Sequence, residues 1–148
     1  MSQPLRLFTI GFTKKSAERF FTLLRAAGVQ CVLDVRLHNR SQLAGFSKRD
    51  DLAYFLRAIL GIDYLHLPEL APTEPMLTRL RQGGTWAEYQ ASFVQTLQAR
   101  QIEKTLDPAR FAQGCLLCSE DQPEHCHRRL VAEYLAQHWP GLEIVHLV

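Results

Sequence analysis

Apolar positions along this chain recur with two periods, one suited to buried strands and one to helices. Residues 5–12 form a short, nearly continuous apolar run and predict a buried strand. Ser16 then stands as the cap of a helix with Ala17, Phe20, Phe21, Leu24 and Ala27 on one face, closed by Gly28. A second strand is predicted over 31–35 and a polar loop over 36–46. Ser47 opens the next helix, whose apolar face is Leu52, Phe55, Leu56, Ile59 and Leu60 and which Gly61 ends. A third strand over 64–67 is stopped by Pro68. The middle of the chain reads as a proline-rich loop, a short helix over 76–81, a break at Gly83 and Gly84, and a helix over 86–97. Residues 98–113 are polar, with one weak helical turn before Asp107. The fourth strand is predicted over 115–118, the last helix carries Leu130, Val131, Tyr134, Leu135 and Trp139, and a final strand spans 143–148.

Strand–helix alternation with strands this apolar predicts a single α/β domain over residues 1–148. Its sheet is expected to be mostly parallel, of about five strands, with helices on both faces. In such sheets ligands bind beyond the carboxyl ends of the strands, where strand order reverses. That rule brings residues 11–13, 34–36, 68–69 and 119–120 to one rim, with the 126–128 cluster joining it from the start of the last helix.

Composition narrows the function classes. A length of 148 residues fits one domain, and a net charge of +2 is too small for bulk attraction to nucleic acid, so any anion affinity must come from local placement. No apolar run approaches the roughly 18 residues of a membrane span. The first residues, MSQPLRLFTIGF, lack the pattern of an export signal. The four cysteines are therefore expected to be free thiols in a cytoplasmic protein.

The chemistry concentrates in residues 115–129, CLLCSEDQPEHCHRR, where a strand runs through an acidic turn into two cationic residues, a thiol and an imidazole. Three readings apply. Zinc is suggested by Cys115, Cys118, Cys126 and His127, with His125 as a substitute ligand. Against it, residues three apart on a strand point to opposite faces, so Cys115 and Cys118 cannot share one metal, and Cys115 and Cys31 read as small core residues. An activated thiolate is suggested at Cys126, near a helix start and beside His127, Arg128 and Arg129, with Glu120 to orient the imidazole. Asp121 and Glu124 also match a capping box, which would place Cys126 one turn inside the helix. An anion pocket is suggested by Arg36 and Arg128, joined by Arg40, Lys48 or Arg129, with backbone amides at Gly11 and Thr13 as further donors. The bland alternative pairs Arg36 with Glu120 or Glu69, and Arg128 with Asp34. Asp34 itself reads first as the residue that pins the following loop. Trp86, Tyr89 and Phe93 read as core, and no glycine-rich phosphate loop of a standard type is present.

The segments TIGFT (9–13), DVR (34–36), YLHLPEL (64–70) and LLCSEDQPEHCHRR (116–129) resemble the family called domain of unknown function 488. The resemblance extends over nearly the whole chain and implies a compact α/β domain, without implying a reaction. Thr13 stands where many members have serine, and the loop after DVR is less basic than is common in the family.

The leading expectation is a small enzyme acting on a phosphate-bearing substrate, a nucleotide or nucleic acid. Cys126, His127 and Glu120 are its catalytic residues, and Arg36, Arg128, Thr13 and Gly11 bind the substrate. No metal or cofactor is assigned. The alternatives are a non-catalytic nucleotide or nucleic-acid binding module and a metal-stabilised interaction domain.

Overall fold

A computed structural model describes residues 5–39 and 45–148. Five strands form one sheet: β1 (Leu5–Gly11), β2 (Cys31–Asp34), β3 (Asp63–His66), β4 (Gly114–Cys118) and β5 (Leu142–Leu147). Every pairing is parallel and the order is β3-β2-β4-β1-β5. The chain thus leaves an empty slot between β1 and β2, moves out to β3, and returns to fill the slot with β4.

The pleat sorts the strand residues onto two cores. Phe8, Ile10, Val32, Cys115 and Leu117 face α1 (Ala17–Ala27) and α2 (Arg49–Phe55), packing with Phe20, Phe21, Leu24, Leu52 and Leu56. Leu7, Leu33, Leu116 and Cys118 face the other way. There they meet α4 (Trp86–Arg100), the short helices α5 (Ile102–Thr105) and α6 (Pro108–Phe111), and α7 (His127–His138) through Phe93, Leu97, Ile102, Phe111, Val131 and Leu135. The α/β class, the parallel sheet and the two helical layers are as expected. Between β3 and α4, helix α3 (Glu74–Arg81) begins on a Thr73 cap whose side chain accepts from the Met76 amide.

Local chemistry explains the boundaries. The Ser16 hydroxyl accepts from the Arg19 amide and Gly28 ends α1 in the left-handed conformation, φ 74°. Ser47 does not open α2. It lies in a short 3-10 turn, Lys48 takes the cap position without a side-chain cap bond, and the helix relaxes into a π-helical turn over Leu56–Leu60 before Gly61. The last helix begins at His127 with Cys126 at the cap, so the D-x-x-E pattern of Asp121 and Glu124 does not start it. No helix among the described residues is long and apolar enough to cross a membrane.

Candidate functional site

Because β1 and β4 are neighbours whose following helices cover opposite faces, the crevice between their carboxyl ends is the switch point of this sheet. It is closed by the protein itself. A Cβ on Gly11 would lie 1.6 Å from the Glu120 carbonyl oxygen, so only glycine admits the β4–α7 loop here. Thr13 ties the same loop down, its amide donating to the Ser119 carbonyl at 3.0 Å and its hydroxyl at 2.6 Å. The Thr13 donors are spent on the loop, and neither Gly11 nor Thr13 lines the adjacent cleft. The Lys15 ammonium adds a 2.7 Å ion pair to Asp121.

Arg128 completes the closure from below. It is fully buried, and its guanidinium donates to Thr9 Oγ1 at 3.3 Å, the Glu120 carbonyl at 2.5 Å and the Asp121 carbonyl at 3.2 Å. Its partners are neutral oxygens of the protein, so it braces the loop, and the expected alternative of a pair with Asp34 does not occur. Asp34 instead takes Arg36 in a fork of two 2.9 Å bonds. It also accepts from the Arg36 amide at 3.1 Å and from the Tyr64 hydroxyl at 2.5 Å. Burial first, and the Asp34 carboxylate second, push the Tyr64 hydroxyl far above its usual range. Arg36 donates further to the Ser47 carbonyl at 2.8 Å and lies 5.3 Å over the Phe12 ring. The expected pairing of Arg36 with Glu120 or Glu69 is therefore replaced by Asp34, which pins the loop as its position suggests.

The open site lies one strand over. A cleft of about 220 Å³ sits beyond the carboxyl ends of β2 and β4, under α3 and α4. One wall is apolar, with Leu77, Leu80 and Trp86. The other carries Arg36, His38 and Glu120. Trp86 stacks between Tyr89 and His125, each ring 5.0 Å away, so the residues read as core also shape this opening. Arg129 pairs at 3.7 Å with Glu133 along α7, Lys48 does not line the cleft, and Arg40 lies outside the described residues. A larger apolar hollow of about 630 Å³ between α1 and α2 has no thiol or imidazole on its lining.

At the floor of the cleft Cys118, Cys126 and His127 converge, with ligand atoms all within 4.8 Å of one another and exposures of 6%, 2% and 7%. Cys118 arrives from the end of β4, and the other two from the cap and first residue of α7. Cys118 Sγ lies 3.3 Å from His127 Nδ1, while Nε2 donates to the Val35 carbonyl at 2.6 Å. The Phe93 ring meets the imidazole edge-on at 5.5 Å. Both ring nitrogens are thus engaged, and Glu120, whose side chain is exposed, is not what orients the imidazole.

The two thiols are not equivalent. Burial raises the Cys118 thiol, but a hydrogen bond from Cys126, the Arg128 charge and the Ser119 and Glu120 amides outweigh it and hold Cys118 below its ordinary value. Burial, then the shared proton and charge of Cys118, push Cys126 well above its own. Sequence reasoning assigned the reactive role to Cys126 and considered Cys118 only as a metal ligand. The alternation along β4, which turns Cys118 away from Cys115 and toward α7, was the signal available for it.

A search of curated proteins finds no match, and a search of solved structures finds none. The model of the family described as domain of unknown function DUF488 matches residues 16–135. That stretch runs from the cap of α1 to most of α7 and contains the whole Cys118–Cys126–His127 cluster; the chain belongs to the DUF488 family.

Proposed function

We propose that this protein is a small enzyme acting on a phosphate-bearing substrate, a nucleotide or the end of a nucleic acid, at the cleft beyond β2 and β4. Its reactive cluster is Cys118, Cys126 and His127. The observation that carries the reading is the convergence of two thiols and an imidazole, all more than nine-tenths buried, under an open cleft. Packing alone gives no reason to gather such groups, because buried polar atoms cost stability unless each finds a partner. Clefts at strand carboxyl ends that hold a few convergent polar groups are the usual seats of catalysis in this fold class.

The cleft is smaller than the roughly 300–1,000 Å³ that encloses a drug-sized ligand, so it suits a compact group or one end of a longer molecule. Arg36 and His38 stand on the polar wall, each already paired with a carboxylate of the protein, Asp34 and Glu74, so an anionic group bound there would share cations that the fold also uses. Arg128 supports the cluster by its charge from beneath and Glu120 offers a carboxylate at the rim, while Gly11 and Thr13 hold the rim loop in place.

The test is a turnover screen over nucleotides, short nucleic acids and simple phosphate esters, read by phosphorus NMR and mass spectrometry. A substrate converted by the wild type and untouched by His127→Gln, with the fold retained by circular dichroism, is the expected result. Turnover that survives His127→Gln and Cys118→Ser together would remove the cluster from the chemistry.

A further inference from the structure

We infer that Cys118, Cys126 and His127 form a binding site for one zinc-class divalent cation, held by three protein ligands with its fourth position open to the cleft. The inference deepens the enzyme reading above and rests on it for the use to which the cation is put.

The distances suit a tetrahedral ion. Bonds of roughly 2.3 Å to sulfur and 2.0–2.1 Å to nitrogen at tetrahedral angles separate neighbouring ligand atoms by roughly 3.5 Å. Here Cys118 Sγ and His127 Nδ1 are 3.3 Å apart, and no pair in the cluster exceeds 4.8 Å. The imidazole is also prepared for a metal. Donation from Nε2 to the Val35 carbonyl selects the tautomer that keeps its proton there and leaves the Nδ1 lone pair facing Cys118 Sγ. That outer bond is the usual support of a ligating histidine.

The chemistry of the set limits the ion. Two thiolates and a neutral imidazole balance a doubly charged cation and favour zinc over magnesium or calcium. Cys115 contributes nothing, because it packs on the opposite face of the sheet with Phe8 and Leu117. The set is therefore three ligands among the described residues, the count of catalytic zinc sites that keep a place for water or substrate. Glu120 and His125 line the same cleft and stand on the open side.

Zinc ion and cobalt(II) ion, each added alone to chelator-treated protein, test this. One equivalent of zinc is expected by native mass spectrometry, and cobalt should give tetrahedral d–d bands with sulfur-to-cobalt charge-transfer absorption from two thiolates. Because the cobalt spectrum is read on the wild type, it does not depend on any variant folding. Cys126→Ser and His127→Gln should weaken zinc binding beyond the roughly 10–100-fold expected for loss of an outer-shell partner, while Cys31→Ser leaves it unchanged. A cobalt spectrum without thiolate bands, or zinc uptake unaltered by Cys126→Ser, overturns the site. Turnover that persists in the stripped protein overturns the metal's role and leaves the enzyme reading standing. Stoichiometric zinc with no turnover of any substrate upholds the site and removes the enzyme reading.

Discussion

Cys118 and His127 are nine positions apart in the chain, yet Sγ and Nδ1 lie 3.3 Å from each other at the bottom of a cleft. The contact exists because β4 ends on Cys118 and the following loop turns back to start α7 on His127. Everything that holds that loop in place therefore acts on the site, which makes several of its supports testable.

Gly11→Ala is expected to be severe. The added Cβ would meet the Glu120 carbonyl at 1.6 Å, and since the Cβ is fixed by the β1 backbone and the carbonyl is itself backbone, one of the two segments must move. Relief requires shifting the loop that leads to Cys126, at a cost above the roughly 1–3 kcal/mol of an ordinary overpacked core. Thermal melts should show a large drop. A Tm within a degree or two of the wild type would mean that the loop is not held against β1.

Arg128→Met separates a brace from a ligand anchor. The substitution keeps the apolar stem and removes donors from the Glu120 and Asp121 carbonyls and Thr9. The buried Thr9 oxygen left without this donor costs about 1–3 kcal/mol and the two part-buried carbonyls less each, so a net loss of about 2–4 kcal/mol is expected in denaturant titration. A residue whose main task is to grip substrate would instead lose affinity at nearly unchanged stability.

Asp34→Asn should cost about 3–5 kcal/mol, because it leaves the buried Arg36 guanidinium without its compensating charge. The lesion should also loosen Tyr64, whose hydroxyl donates to the same carboxylate. Restored stability in Asp34→Asn with Arg36→Met, measured as a double-mutant cycle, is the expected signature of the pair. Additive losses would argue that the two residues act separately.

Acid should weaken the fold through His146. The Thr9 hydroxyl, which accepts from Arg128 Nε, shares a 2.6 Å hydrogen bond with His146 Nδ1. Burial first, then the Arg128 charge, lower its pKa below the ordinary 6.5. A depressed folded-state value means that the unfolded chain takes the proton first as pH falls. Stability from this group is therefore intact above about pH 6.5 and is lost as pH falls from there through the folded-state value. Tm should decline over that range, and His146→Gln should flatten the decline. An unchanged slope in the variant would assign the acid sensitivity to other groups.

The sequence by itself determined the layers of this protein. Apolar runs at 5–12, 31–35 and 115–118 become β1, β2 and β4, because a strand buried on both faces must be apolar throughout. The helical stripe of Phe20, Phe21 and Leu24 becomes the buried face of α1 for the matching reason at period 3.6. Alternation along β4 also separated Cys115 from Cys118. These outcomes depend on local periodicity, which a chain displays in one dimension. Only the tertiary structure decided which polar groups meet. Strand order inserted β4 between β1 and β2, and this filled the switch-point crevice with the 119–121 loop, drew Arg128 under it, and moved the cleft to the far side of β4. Arg36 took Asp34, two residues away, because the turn after β2 lets the guanidinium fold back on the carboxylate that starts it. The pairing of Cys118 with His127, and the inequality of the two thiols, follow from that closure. Charge, burial and hydrogen-bond direction act through space, and residue order alone does not specify the distances over which they act.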